Sequence, residues 1–191
     1  ERFLHLPVLG TIPHIVTNKK EDIKIRRRSS KTKMSRSVTQ YPRNLLSFRG
    51  NDSVITESYR SLRTNLSFVS PDNPLRTVLL TSAGPAEGKS LTIANLAMAY
   101  AQMGKKTLLV DTDLRRPVLH HLFHLKREPG FAELFMEDAD PEEIIRTSPA
   151  DNLHLVTAGM FSPNPAELIA SQRMLQYVEY FRNNFDMVFF D

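Results

Sequence analysis

Cysteine is absent from the chain, which excludes a disulfide scaffold and a thiolate metal site and agrees with a reducing compartment. No apolar run approaches the roughly 18 residues that a membrane-crossing helix needs. The first residues also lack the charged, apolar and small-residue order of a signal peptide. The expectation is a soluble chain in a cytoplasmic setting. No internal repeat is present. With 191 residues, 41% of them hydrophobic, the chain suffices for one sizeable core and is too short for two. It begins with Glu1 rather than Met, and Asp191 directly follows an apolar run, so a piece of something longer is expected.

Charge is unevenly placed. Residues 19–36 hold nine Lys or Arg against Glu21 and Asp22, a local charge of +7, so the remainder of this +4 chain carries −3. The segment is poor in apolar residues, rich in Ser and Thr, and without helical or strand period, so it reads as a disordered linker. It serves either as a solvated spacer or as a contact with anionic lipid, to which each basic residue contributes about 1 kcal/mol. Aromatic residues are not interleaved with the charges, so nucleic acid is not an expected partner.

From residue 53 onward, short β-rich runs alternate with helical patterns, the signature of a parallel sheet covered by helices. Strands are predicted over Thr77–Ser82, Thr107–Asp111, Leu153–Thr157 and Met187–Asp191, each apolar throughout as in a strand buried on both faces. A helix opens at Lys89 with Ile93, Leu96, Ala97, Tyr100 and Ala101 inward, and Gly104 ends it in the left-handed cap position. Asn164 and Pro165 are placed as N-cap and first residue of a helical stretch running towards Arg182.

After the first strand comes Ala83-Gly84-Pro85-Ala86-Glu87-Gly88-Lys89-Ser90, then the helix, which is the order a phosphate loop requires. A turn at a helix start aims unpaired backbone N–H groups at an anion that the helix dipole also favours. Gly88 lets the backbone approach phosphates, Lys89 reaches their β and γ oxygens, and the Ser90 hydroxyl can ligate Mg²⁺. Ala83 stands where the consensus has Gly, which demands a negative φ there.

Leu108-Leu109-Val110-Asp111-Thr112-Asp113 ends a buried strand with carboxylates at i and i+2, on the same side by strand periodicity. Ligands of such sheets lie at the carboxyl ends of strands, and two close carboxylates repel unless a cation joins them. The Mg²⁺ of a nucleotide is such a cation; capping of the next turn is the other use for these acids. Asp186-Met187-Val188-Phe189-Phe190-Asp191 supplies a third carboxylate at a strand end, suited to holding the metal through water.

Together these segments resemble the bacterial tyrosine kinases of capsule and exopolysaccharide synthesis, relatives of the partition and division-site ATPases. The ATPases usually carry a signature lysine where this chain has Gly84. Leu6-Pro7-Val8-Leu9-Gly10-Thr11-Ile12-Pro13 is similar to the segment after the second transmembrane helix of fused family members. Arg115-Arg116-Pro117-Val118-Leu119-His120 and Pro163-Asn164-Pro165-Ala166-Glu167-Leu168-Ile169 are similar to family segments as well. Glu57, Arg60 and Arg63 match the family's Glu-x-x-Arg-x-x-Arg motif, which joins subunits in a ring. Helix geometry agrees: Ile55, Tyr59, Leu62, Leu66 and Val69 form one apolar stripe, leaving the three charged residues free for another subunit. A solvated face with a local Glu57–Arg60 pair is the plainer reading.

The resemblance implies an α/β fold, a mostly parallel P-loop NTPase-type sheet with helices on both faces, truncated at the C-terminus. It implies a membrane-proximal connector at 1–18, a basic linker at 19–50 and a kinase domain at 51–191. The cofactors would be ATP and Mg²⁺. Gly84, Pro85, Ala86, Glu87, Gly88, Lys89, Ser90 and Leu91 would bind the nucleotide; Leu91 replaces a Ser or Thr common in relatives but keeps the backbone donor. Ser90, Asp111, Asp113 and Asp191 would organise the metal. Lys89 and the three acids would be catalytic, with either Asp111 or Asp113 taking the tyrosine proton. A membrane polysaccharide co-polymerase domain, fused or separate, would be the partner, at the cytoplasmic face of the inner membrane. A non-kinase ATPase or nucleotide-controlled assembly module is the alternative. The family's tyrosine-bearing tail is missing; Tyr177 and Tyr180 read as packing residues on an amphipathic helix. His120, His121 and His124 lack a carboxylate or cysteine to complete a metal set, and no metal is expected there.

Overall fold

The computed structural model describes residues 7–13, 45 and 54–191. The basic segment 19–36, most of the 19–50 linker and the greater part of the 1–18 connector lie outside the described residues. Helix α1 (Val54–Ser67) is followed by β1 (Thr77–Leu79), α2 (Lys89–Ala101) and β2 (Thr107–Val110). Three single-turn helices come next, α3 (Leu119–Leu122), α4 (Glu133–Met136) and α5 (Pro141–Ile144), then strands β3 (Arg146–Thr147) and β4 (Leu153–Val156). Helices α6 (Pro165–Ile169) and α7 (Gln172–Asn184) lead to β5 (Met187–Phe190).

Among the described residues the strands form one five-stranded sheet in the order β1-β5-β2-β4-β3. Every pairing is parallel except the short β3–β4 ladder. The central strands are almost wholly apolar, Thr107 and His154 apart, because each face meets its own core. Leu109, Leu155, Met187 and Phe189 join α1 and α2 on one face, while Leu108, Val110, Val156, Val188 and Phe190 join Phe131, Leu134 and Phe181 on the other. Alternation thus buries both sides of one strand in different cores.

Helix α2 is buried from Ile93 to Ala101, more completely than a one-face pattern predicts, because α1 covers the side that the sheet leaves open. Gly104, at φ 79°, takes the left-handed position just beyond it. On α1, Tyr59 is 1% exposed and Ile55, Leu62 and Leu66 pack on the core, but Val69 lies past the helix end and is 53% exposed. Residues 7–13 lean on the same helix: Asn65 Nδ2 donates to the Leu9 carbonyl at 2.6 Å, and Ile12 joins the core.

The continuous helix expected from Pro165 towards Arg182 is two helices. Ser171 breaks it by accepting from the Met174 N–H, starting α7 afresh. Asn164 sits at the N-cap of α6 but makes no cap bond; its Nδ2 donates to Glu167 instead. β1 ends three residues short of its predicted limit and β2, β4 and β5 one residue each, although Leu80, Asp111 and Asp191 still donate their N–H groups to the neighbouring strand.

Candidate active site

The phosphate loop joins β1 to α2, with Ala83, Pro85, Ala86, Glu87 and Gly88 exposed and Gly84, Lys89, Ser90 and Leu91 half-buried. Gly88, the N-cap of α2, has φ 85°, which glycine alone adopts without strain. Ala86 also lies in the left-handed region at φ 61°, while Ala83 does not, as its place at the head of the loop requires. Ser82 Oγ donates to the Gly84 carbonyl at 2.9 Å and ties the loop's entry. With Asp113, Arg116, Val118 and Leu122, the loop lines a cleft of about 570 Å³.

Parallel pairing of β5 between β1 and β2 carries Asp191 beneath the loop. The Lys89 ammonium donates to Asp191 Oδ1 at 2.5 Å, across 102 positions of sequence, and lies 4.0 Å from Asp113 Oδ2. The Asp191 side chain is fully buried, that of Asp113 34% exposed. Thr112 locks this end of the sheet, its N–H and hydroxyl both donating to the Asp191 carbonyl.

Asp111 is fully buried, and Oδ2 accepts the Leu119 N–H at 3.1 Å. Asp113 Oδ1 accepts the Arg116 N–H at 3.0 Å. The capping use of these acids is thus observed, one oxygen of each carboxylate organising the turn into α3, while Asp113 alone of the two lines the cleft. Burial pushes the Asp111 carboxyl up to about 7, the neighbouring Asp191 and Asp113 charges adding to the rise while the Leu119 N–H opposes it.

Asp111 Oδ1 and Asp191 Oδ2 are buried without a hydrogen-bond partner. Orphaned carboxylate oxygens are costly, and a hard divalent cation is the partner they lack. Among the described residues no three acids or histidines are close enough to hold a metal alone. Mg²⁺ does not need that, since it binds through one or two carboxylates with phosphate oxygens and water. The donor set fits a nucleotide-borne cation and not a resident one.

The histidines separate further than a shared face predicts. Helix α3 ends at Leu122, so His124 lies beyond it at φ 51°, and the His120 and His121 rings lie 3.9 Å apart, tilted by 39°. Tyr177 donates its hydroxyl to the Leu134 carbonyl at 2.7 Å and Tyr180 packs on the second core, as packing residues do. Glu57 and Arg60 pair locally at 3.5 Å. Arg63 is not free as expected: its Nη1 donates to the Ala99 carbonyl at 2.8 Å.

Sequence reasoning did not single out Ser82, Thr112 or Arg116 for the site, nor the buried Glu133. Only Glu133 left a trace in the sequence, an acid inside the apolar run Phe131-Ala132-Glu133-Leu134-Phe135.

No protein-family model matches the chain. Tyrosine-protein kinase YwqD of Bacillus subtilis is 40% identical over 149 residues, covering 78% of this chain and 63% of that protein. Tyrosine-protein kinase ptk of Acinetobacter johnsonii is 32% identical over all of this chain and 24% of its own length. The chain thus spans less than two thirds of the curated relatives it matches. Among solved structures, the BceF tyrosine kinase domain is 34% identical with a TM-score of 0.77, covering 100% of this chain and 72% of its own. The kinase domain of Escherichia coli tyrosine kinase ETK has a TM-score of 0.80 at 29% identity, covering 97% and 68%. The septum site-determining protein MinD of Pyrococcus horikoshii, solved with Mg-ADP, shares the fold at 21% identity and a TM-score of 0.53, covering 61% and 48%.

Proposed function

Because the chain belongs to the bacterial tyrosine kinases, we propose that its cleft transfers the γ-phosphoryl group of ATP to a protein tyrosine, in trans within a ring of subunits. The observation that carries this reading is the meeting of Lys89, Asp113 and Asp191 beside the phosphate loop, with two orphaned carboxylate oxygens behind them.

The loop N–H groups of Gly84 and of Ala86 to Leu91 cradle the phosphates, Pro85 having none to give, and Lys89 turns from Asp191 to the β and γ oxygens. Ser90, Asp111, Asp113 and Asp191 would hold Mg²⁺, directly or through water. The ion, when bound, neutralises charge developing on the β and γ oxygens. The tyrosine oxygen forms its bond to the γ-phosphorus as the bond to the β–γ bridging oxygen breaks, and ADP leaves. Asp113 lines the cleft and Asp111 does not, which favours Asp113 as acceptor of the phenol proton. Positioning and charge do the catalysis.

In this reading residues 51–191 are kinase domain, 19–50 a linker whose 19–36 segment meets anionic lipid, and 1–18 a connector. A membrane polysaccharide co-polymerase domain is the partner, at the cytoplasmic face of the inner membrane, in control of capsular or exopolysaccharide synthesis. The docking of Leu9 on α1, the helix with Glu57, Arg60 and Arg63, supports a connector that bears on assembly.

Incubation of the full-length protein and its Lys89→Met variant with Mg-ATP, read by anti-phosphotyrosine blotting, tests the proposal. Phosphotyrosine is expected in the parent and absent from the variant. ATP hydrolysis by the parent without phosphotyrosine would replace the kinase reading by that of a nucleotide-controlled assembly module.

A further inference from the structure

The sheet order β1-β5-β2-β4 sets out in a row, along the carboxyl edge, the phosphate loop, Asp191, the Asp111–Asp113 pair and the turn leaving β4. The proposed reaction uses the first three. The fourth place, at residues 157–163, is held with unusual firmness for a loop. Phe131 and Ala132 donate their N–H groups to the Thr157 and Ala158 carbonyls at 2.7 and 3.0 Å. Arg127 Nε donates to the Gly159 carbonyl at 2.6 Å, and Thr157 Oγ1 to the Arg127 carbonyl at 2.7 Å.

At the centre is Glu133, 2% exposed. Its Oε2 accepts the Gly130 N–H at 2.9 Å and its Oε1 the Met160 N–H at 3.0 Å. The fit admits nothing larger. A Cβ on Gly159, where φ is 80°, would lie 1.8 Å from Glu133 Oε2, and one on Gly130 would lie 2.3 Å from the Thr157 carbonyl oxygen. A carboxylate with an N–H on each oxygen makes two charge-assisted bonds, each about twice as strong as a neutral one.

Within this tied segment Met160 is anchored through its N–H and Ser162 is 4% exposed, yet Phe161 between them is 72% exposed. The ring is outside because a fixed backbone on both sides presents it there. In-line transfer sets the nucleophile opposite the leaving group. The leaving group belongs to the phosphate loop beyond β1, and the reacting phosphorus to the place of Lys89, Asp191 and Asp113. The next member of the row, on the acceptor's side, is the turn with Phe161.

We propose that Phe161 is the acceptor-binding residue, its ring packing against the phenol ring of the incoming tyrosine, and that Glu133 is the positioning residue that fixes it. Paired rings gain energy beyond the area they bury, so an aromatic acceptor is favoured over serine or threonine. The inference rests on the kinase reading above.

The test uses the full-length protein, Mg-ATP and a synthetic tyrosine-containing peptide, with phosphopeptide formation as the readout. Phe161→Ala raises the KM for peptide about tenfold, the size of a lost ring pair, and changes the KM for ATP less; Phe161→Tyr restores it. Glu133→Gln, which offers an N–H donor where an acceptor is needed, raises the peptide KM in the parent but adds little to Phe161→Ala, as coupled residues do. A peptide KM within about twofold of the parent in Phe161→Ala overturns the assignment of Phe161. Additive effects of the two substitutions overturn the positioning role of Glu133. Absence of phosphopeptide from the parent itself overturns the kinase reading and this inference with it.

Discussion

A single buried carboxyl gives the site its own pH dependence. Asp111 keeps its proton up to about 7 in the folded chain, against 3.8 when it is free in the unfolded one. The folded state therefore binds the extra proton, and the stability it brings is complete below the unfolded value and lost as pH rises through 7. The span corresponds to about 4 kcal/mol at most. Urea denaturation of the nucleotide-free protein across this range should show stability falling with pH. Asp111→Asn, which keeps an acceptor for the Leu119 N–H, should flatten the curve. Metal with nucleotide should act in the opposite sense, drawing Asp111 to its charged form.

The elements show where local pattern was enough and where a neighbour intervened. The buried strands and the loop–helix unit at 83–101 were legible because glycine position and apolar runs are local properties. The break between α6 and α7 was not, because an apolar periodicity passes smoothly across Ala170 and Ser171 while a single hydroxyl restarts the helix. Ser171→Ala should lower stability by about 1 kcal/mol, measured by chemical denaturation. The same substitution at Asn164, whose side chain makes no cap bond, should cost less.

For the whole molecule, assembly separates two arginines that look alike in sequence. Among the described residues Arg60 makes its ion pair with Glu57, an exposed pair of slight energetic consequence. Arg63 closes the carboxyl end of α2 through the Ala99 carbonyl. In the proposed ring, Arg60→Glu should yield smaller oligomers by light scattering, and less phosphotyrosine, with little change in melting temperature. Arg63→Ala should also lower the melting temperature, by the equivalent of about 1 kcal/mol. Equal oligomer size in Arg60→Glu and parent would remove the motif from the interface.

By itself the sequence determined the α/β alternation, the phosphate loop at 83–90 and the three strand-end acids, since each depends on residues close together in the chain. Tertiary structure alone decided their use. Inserting β5 between β1 and β2 brought Asp191 to Lys89 over 102 positions, and burial at that junction, not the residue type, raised the Asp111 carboxyl. Packing of α1 on α2 turned Arg63 inward, and the contact of two distant loops through Glu133 fixed the turn that leaves Phe161 exposed. Spacing along a chain specifies what a residue is able to do; which partners surround it, and at what dielectric, depends on elements far away in sequence.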